Sequence, residues 1–252
     1  MGNLILMIIV GLLVGVFVIS TGGGGGAIYL GVLTAFFKLS PSSAAATSIV
    51  TALPALILGC YEYYRRHLID FHLGVRMLIA AIPSILVGFW LAPFIPEKLY
   101  TVLIGLILIA LGSQLFYRTY RTKKLTSRRN ESAGRASFGY GILGGLMVGI
   151  AGLSGGGPIT SGLLILGAPL ANASATSSFV LVGMSVVGTL LHLSSGNVDW
   201  SAALGLIIGS LAGAMMAPPM ILWMTAKLQR ARIIKLLVAI LIITMGVRTL
   251  FN

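Results

Sequence analysis

Long apolar segments with almost no charge constrain this chain more than any other feature of its sequence. Residues 99–116 and 233–251 are runs of this kind, and each is long enough to cross a hydrocarbon core of about 30 Å. Only 9% of the 252 residues are charged, whereas about 25% is usual for a soluble domain. The sequence therefore predicts an all-α polytopic membrane protein that lies in a lipid bilayer.

The apolar segments form two sets of five on either side of a basic linker. We expect helices at 4–20, 27–38, 43–60, 73–92 and 99–117, and again at 138–152, 158–167, 172–194, 200–217 and 233–251. The first segment has no positive residues before it, so we interpret it as a retained helix and not as a cleaved signal peptide. The expected domains are a first repeat at 1–117, a basic cytoplasmic linker at 118–136 and a second repeat at 137–252.

The second half repeats the first half. "GGGAIYLGVLTAFFKLSPSSAAATS" lines up with "GGGPITSGLLILGAPLANASATS" when a gap of two residues is allowed. Asp70 of "HLIDF" then falls opposite Asp199 of "GNVDW", and "IPSILVGFWLAP" falls opposite "IIGSLAGAMMAP". Internal duplication of this kind is common in secondary transporters.

The distribution of basic residues predicts that the two halves are inverted. With five membrane segments per half, the loops at 61–76, 118–135 and 218–235 share one side and hold 14 of the 17 Lys and Arg residues. Cytoplasmic loops carry such an excess, so we expect two inverted repeats with both termini outside. The same rule accounts for the net charge of +12, so no nucleic-acid partner is expected.

Two glycine tracts interrupt the apolar pattern at equivalent places. If each half begins with a hairpin, the tracts form its turn inside the protein, and the return helices begin at Ala27 and Pro158. Helix starts present free N–H groups, and glycine backbone can approach a ligand closely, which predicts an anion site. Its residues would be Thr21, Gly22, Gly23, Gly24, Gly25, Gly26, Ser154, Gly155, Gly156 and Gly157. The alternative is close helix packing, which we prefer for the scattered Gly88, Gly105 and Gly213.

A polar cluster follows each tract and is a second candidate for substrate contact. Ser43, Thr47 and Ser48 align with Asn172, Thr176 and Ser177, 129 residues later. The first two members of each set are four residues apart and therefore share a helix face. The alternative is hydrogen bonding between helices, which is common for such side chains in membranes.

The remaining polar residues give little indication of chemistry. Asp70 and Asp199 stand at helix starts, where N-capping is the ordinary role. His192 is a lone candidate for proton coupling, and Cys60 has no partner base nearby in the sequence. We therefore predict no catalytic residue, no metal and no cofactor.

The paired glycine and "SSAAATS"/"ANASATS" elements, the duplication and the chain length resemble the TauE/SafE family of sulfite exporters, also called the TSUP family (4-toluene sulfonate uptake permease-like). The resemblance covers essentially the whole chain. It implies a transporter of the bacterial inner membrane whose substrates are sulfite, sulfonates or related sulfur-containing anions, bound around the matching glycine, Ser and Thr positions.

The leading functional hypothesis is a secondary transporter that exports sulfite or an organosulfonate by alternating access. A passive anion channel is one alternative. An intramembrane enzyme that binds phosphate, such as a lipid phosphatase, is another, but it would need a nucleophile or an acid–base pair inside the membrane. A homo-oligomer is compatible with the sequence.

Overall fold

The computed structural model of the chain is a bundle of helices in the order that the hydropathy predicts. It describes residues 2–21, 25–120, 133–152, 155–194, 196–225 and 228–251. Those residues form ten α-helices and no strand, so the predicted fold class is confirmed. The first five are α1 (Gly2–Thr21), α2 (Gly25–Ala35), α3 (Pro41–Arg65), α4 (Phe71–Leu91) and α5 (Glu97–Tyr120), with a 3-10 turn at Ala92–Phe94. The other five are α6 (Ala133–Ala151), α7 (Gly156–Ile165), α8 (Leu170–Ser194), α9 (Trp200–Thr225) and α10 (Leu228–Leu250).

Several helices extend beyond the apolar runs that predicted them. We expected the third helix at 43–60, but α3 begins at Pro41 and ends at Arg65. Its start is set by Ser40, whose Oγ accepts a hydrogen bond from the Ser43 N–H at 3.4 Å, and proline suits the first helical position. The sequence "YEYYR" continues the helix because a helix can extend past the hydrocarbon core into water. The predicted linker falls largely at 121–132, which lie outside the described residues.

The main contacts of the bundle join helices from different halves. α1 packs chiefly against α9, α4 against α6, α5 against α10, and α3 against α8. In the alignment of the two halves, α1 corresponds to α6 and α4 corresponds to α9. The packed pair α1–α9 is therefore the counterpart of the packed pair α6–α4. The two halves are therefore interlocked across a shared interface.

Glycines let the most extensive of these helix pairs approach closely. In the α1–α9 pair, a methyl group built on Gly15 would lie 2.8 Å from the Cα of Ser210, and one on Gly213 would overlap the Leu12 backbone. In the α4–α6 pair, one on Gly88 would lie 3.1 Å from the Ile150 nitrogen. The packing role predicted for Gly88 and Gly213 is confirmed, and Gly105 likewise packs against Leu250 of α10.

Equivalent helices of the two halves run in opposite directions. Ile49, near the start of α3, packs against Gly188, near the end of α8. Gly105, near the start of α5, packs against Gly246 and Leu250 at the end of α10. An inverted repeat would have this arrangement, and the inversion of the two halves across a membrane stays a prediction.

The outer surface of the bundle is apolar. Large side chains such as Trp90, Phe94 and Met215 are exposed by 74%, 83% and 76%. Three helices of the described part of the chain are long and apolar enough to cross a membrane, namely Pro41–Arg65, Phe71–Phe94 and Ala171–Ser194, and shorter apolar helices lie beside them. A soluble protein rarely exposes so much apolar surface, so the chain is an integral membrane protein.

Candidate functional site

The break between α6 and α7 is the best-described part of the candidate site. Gly152 and Gly155 have φ of +61° and +64°, a conformation that glycine adopts at little cost. A methyl group on Gly155 would lie 2.8 Å from the Cε of Met184, the fifteenth of the 25 residues of α8. Gly152, Gly155 and Gly156 are all buried. The break therefore lies inside the protein, beside the middle of a long helix.

The short helices begin two residues earlier than the sequence suggested. α2 begins at Gly25 and not at Ala27, and α7 begins at Gly156 and not at Pro158. The last two glycines of each tract thus belong to the first helical turn, where a proline also fits because its nitrogen needs no intrahelical acceptor. The positive φ of this segment occurs at Gly155, the N-cap of α7, and not within the helix. The N–H groups of Gly156 and Gly157 stand where a helix presents unpaired donors.

Polar side chains of both halves contact this break and the helix that follows it. The Ser48 Oγ of α3 lies 2.9 Å from the Gly152 carbonyl oxygen and donates to it or to the carbonyl of its own helix at Ala45. The Thr160 Oγ1 of α7 donates to the Ser177 Oγ at 2.8 Å. The structure therefore brings Ser48 and Ser177 to the α6–α7 segment, and substrate contact by them stays a prediction.

Gln114 was missed by the sequence analysis. Its Nε2 donates to the Ser161 Oγ at 2.9 Å, and that hydroxyl donates to the Gly157 carbonyl oxygen at 2.6 Å. This connection joins α5 to the first turn of α7. The available signal was an amide within an otherwise apolar span, which is costly in a membrane unless the amide has a partner.

Thr47 and Thr176 hold the loops that precede α9 and α4. The Thr176 Oγ1 accepts a hydrogen bond from the Asp70 N–H at 2.9 Å, and the Thr47 Oγ1 accepts one from the Asp199 N–H at 3.0 Å. Thr47 of the first half therefore binds Asp199 of the second half, and Thr176 of the second half binds Asp70 of the first half. The two bonds are equivalent because Asp70 and Asp199 align with each other. These bonds match the alternative interpretation of the polar cluster, in which its side chains join helices. Substrate contact by the two hydroxyls stays a prediction.

The two threonines lie far apart. Ile49, two residues after Thr47 in α3, packs against Gly188 of α8. Thr176 precedes Gly188 by 12 residues along α8. At 1.5 Å per residue, Thr47 and Thr176 are roughly 20 Å apart along the helix pair. One small anion could not touch both hydroxyls at once.

Both aspartates are N-caps, as predicted. The Asp70 Oδ1 accepts from the Leu73 N–H at 3.1 Å. The Asp199 Oδ1 accepts from the Ser201 hydroxyl at 2.6 Å and from the Ser201 and Ala202 N–H groups at 3.0 and 3.1 Å. These bonds, the Ser201 hydroxyl foremost, hold the pKa of the Asp199 carboxyl below its usual value.

The other candidate residues are described unevenly. Asn172 donates from Nδ2 to the Leu68 carbonyl oxygen at 3.0 Å, at the same end as Thr176. Ser43 lies in the first turn of α3, half-buried. Gly26 is buried in the first turn of α2, whereas only the backbone of Thr21 and Gly25 is described. Gly22, Gly23, Gly24 and Ser154 lie outside the described residues.

A cavity of about 380 Å³ opens at the end of the bundle where α3 begins and α8 ends. Ser42, His192 and Asn197 contribute its polar wall, and Phe89, Pro93 and Ile95 are among its apolar residues. Among the described residues that line it, none is Asp, Glu, Lys or Arg. Elsewhere in the described part of the chain, no three His, Cys, Asp or Glu side chains come together as metal ligands would.

The described residues form an apolar bundle of ten helices with a glycine break buried at mid-height, which is the architecture of a polytopic membrane protein. Comparison with known proteins makes this specific. The family model "Sulfite exporter TauE/SafE" matches residues 7–249, and the chain therefore belongs to the TauE/SafE family of membrane transporters. The resemblance seen in the glycine and Ser/Thr elements is confirmed.

Individual relatives agree with the family. The chain is 24% identical to "Probable membrane transporter protein YunE" of Bacillus subtilis, over 96% of this chain and 95% of the relative. It is 25% identical to "Probable membrane transporter protein YjnA" of the same organism, over 83% and 87%. It is also 31% identical to an "Undecaprenyl-diphosphatase" of a Psychrobacter species, over 62% of this chain and 58% of that protein.

Proposed function

We propose that this protein is a secondary transporter that exports sulfite or an organosulfonate from the bacterial cytoplasm by alternating access. The observation that supports it most is the buried break before α7, where a helix N-terminus stands beside the middle of α8. The proposal uses no cofactor and no metal.

The chemistry of the break suits a small oxyanion. The N–H groups of Gly156 and Gly157 and the positive end of the α7 dipole favour negative charge at that point. On the α6 side of the break, the Ser48 Oγ lies 2.9 Å from the Gly152 carbonyl oxygen. Neutral donors of this kind can select an anion and still release it, whereas a buried guanidinium would bind a dianion more tightly. The aligned tract before α2 would supply a second helix start of the same kind.

The reciprocal contacts between the halves support alternating access. Thr47 with Asp199 and Thr176 with Asp70 form equivalent hydrogen bonds at opposite ends of the α3–α8 pair. A protein built from two similar halves with such exchangeable contacts can open at either end by moving one set of helices against the other.

The proposed orientation places both termini outside and the 118–136 linker inside. The Arg248 guanidinium lies 4.9 Å from the centroid of the Phe36 ring, two residues before Lys38. Lys98, in the first turn of α5, belongs to the same end of the bundle, because α5 begins where α10 ends. The three basic residues that the topology puts outside thus share one end, which supports it.

Cysteine labelling of intact cells tests the orientation. With Cys60→Ser as the background, Asn197→Cys is expected to react with an impermeant thiol reagent, whereas Ser127→Cys is expected to react only after the membrane is opened. The reverse result would show that the orientation is wrong.

The glycines of the break test the binding site. Gly25→Ala and Gly156→Ala are expected to abolish sulfite or sulfonate binding while the purified protein elutes as a single species, because the new methyl stands where the anion approaches the backbone. Gly88→Ala is the matched control. Its methyl would meet the α6 backbone, so it is expected to lower the melting temperature and leave affinity unchanged. Wild-type affinity in both tract variants would show that the anion binds elsewhere.

The Psychrobacter relative makes phosphate chemistry the second candidate. A diphosphatase would use the same N–H groups to hold phosphate, but it also needs an acid–base pair or a metal. We therefore propose that the chain is not an enzyme. Incubation of the purified protein with undecaprenyl diphosphate is expected to release no inorganic phosphate, and phosphate release that Gly156→Ala abolishes would overturn the transport proposal.

A channel would differ from the proposed carrier in showing neither saturation nor counterflow.

A further inference from the structure

Three polar side chains follow one face of the second half of α8. Ser185, Thr189 and His192 are spaced by four and three residues, which places them on a single stripe. They are exposed by 0%, 8% and 6%. Buried polar groups of this kind are expensive in a membrane and usually mark a functional path.

Two of these side chains lack the bonding that such residues normally have. Ser178, two turns earlier on the same face, donates its hydroxyl to the Ser174 carbonyl oxygen at 3.0 Å. The hydroxyls of Ser185 and Thr189 are buried and hydrogen-bond to no group of the described residues. A buried hydroxyl left without a partner is unfavourable, so these two positions are suited to an outside partner.

The stripe connects two features described above. At its upper end, His192 lines the 380 Å³ cavity, where its ring meets the edge of the Phe89 ring at 5.2 Å between centroids. At its lower end, Ser185 lies at the height of Met184, the residue that contacts Gly155 at the helix break. Thr189 lies one turn higher, at the height of Gly188, which packs on Ile49.

We propose that this cavity and the α8 stripe of Ser185 and Thr189 form the external route and an outer binding site for the transported anion. The inference rests on the proposed function, because it takes the glycine break as the inner end of the route. During export the anion leaves the N-terminus of α7, passes Ser185, Thr189 and His192, and occupies the cavity before it is released outside.

The cavity also indicates the shape of the anion. Its polar wall offers the Ser42 hydroxyl, the Asn197 amide and the His192 imidazole, while Phe89 and Ile95 stand on the apolar side. Its 380 Å³ equals the liquid volume of about a dozen water molecules, far more than a bare four-atom oxyanion fills. A small oxyanion that carries an apolar body, such as an alkyl or aryl sulfonate, would use both walls.

A thiol reagent that itself carries a sulfonate tests the route. In the Cys60→Ser background, Thr189→Cys and Ser185→Cys are treated in intact cells with sulfonatoethyl methanethiosulfonate, with Asn197→Cys as the reactive reference at the mouth. Ser178→Cys is the matched control, since Ser178 shares the face of α8 but bonds within its own helix. We expect Thr189→Cys to react about tenfold faster than Ser178→Cys, because a thiol off the route reacts only after local opening. An alkyl sulfonate added in excess is expected to slow this reaction.

Equal, slow reaction of Thr189→Cys and Ser178→Cys would overturn the route. Thr189→Val provides a second measurement in proteoliposomes, where it is expected to weaken apparent affinity about tenfold, as one lost hydrogen bond to an anion does. Unchanged affinity would also count against the route. If Gly156→Ala abolishes binding while both tests of Thr189 are negative, the route is wrong and the proposed function stands. If Thr189→Cys reacts rapidly but no sulfonate or sulfite slows it, the position is accessible from outside and the proposed substrate is wrong.

Discussion

α3 and α8 hold equivalent places in the two halves, yet they are alike at one end only. Near its start, each helix carries a threonine that binds a backbone N–H of the opposite half, at 3.0 Å for Thr47 and 2.9 Å for Thr176. The helices then diverge. Where α8 has Ser185, Thr189 and His192, the positions 129 residues earlier in α3 hold Leu56, Cys60 and Tyr63.

This difference separates the residues that join the two halves, which both helices have, from the residues of the proposed route, which only α8 has. The threonine bonds occur twice because both halves must be joined to each other. The polar stripe occurs once, at the end of the bundle that carries the 380 Å³ cavity. Duplication thus preserved the residues that join the halves, and the two ends of the transporter were free to become chemically different.

The largest effect that the comparison predicts concerns Leu56 and its counterpart Ser185. Leu56 is 2% exposed and belongs to the apolar core, so Leu56→Ala is expected to lower the free energy of unfolding by about 2–5 kcal/mol. Ser185→Ala is expected to change it little, because the hydroxyl bonds to no group among the described residues. Unfolding of the purified variants in detergent measures both values. A comparable loss of stability in the two variants would mean that the stripe is part of the core and not a route.

The second prediction concerns the paired threonines. Thr47→Val and Thr176→Val keep the side-chain shape but leave the N–H of Asp199 or Asp70 without its acceptor, at a cost of about 1–3 kcal/mol in stability. Similar losses in thermal unfolding would support equivalent roles in the two halves.

Transport assays on the same threonine variants sharpen the result. If a threonine also contacts substrate, apparent affinity is expected to fall about tenfold, since a hydrogen bond to a charged group contributes roughly 1.5–3 kcal/mol. Normal transport at low substrate in both variants would show that the hydroxyls serve only to join helices. Ser84→Ala, whose hydroxyl bonds within α4, is the control for a harmless loss of a buried hydroxyl.

The smallest predicted effect lies at Asp199, which accepts three hydrogen bonds where Asp70 accepts one from its own helix. Because its pKa is lowered in the folded state, the ionised carboxylate stabilises the fold at neutral pH, and this contribution is lost as the pH falls through the folded pKa. The melting temperature of the wild type is therefore expected to drop below about pH 4, the range in which a free carboxyl titrates. Asp199→Asn, which can still cap, is expected to lose less over that range. Identical pH profiles would contradict this account.

Hydropathy and glycine placement predicted the helices and the helix break because both depend on local sequence. The order of ten helices follows from the apolar runs, and the break before α7 follows from "SGGGP". The starts of α2 and α7 were wrong by two residues, since glycine is compatible with both a turn and a first helical turn.

Contacts between distant segments could not be predicted in the same way. The bond from the Asp70 N–H to Thr176 joins residues 106 positions apart, and Gln114 meets Ser161 across 47. The outer cavity is assembled from the starts of α3 and α5 and the ends of α4 and α8, none of which has a pattern that indicates a pocket. Alignment of the two halves gave the candidates, and only the packing showed which group each one binds.

The pairing of α1 with α9 has a consequence for how the protein is made. Gly11 and Gly15 of α1 fit against α9, whose first residue, Trp200, is synthesised almost two hundred residues later. When the first half enters the membrane, this glycine-lined face of α1 and the matching face of α4 have only lipid to contact. α1 must therefore wait for α9, and this part of the bundle can close only after residues 200–225 have entered the membrane.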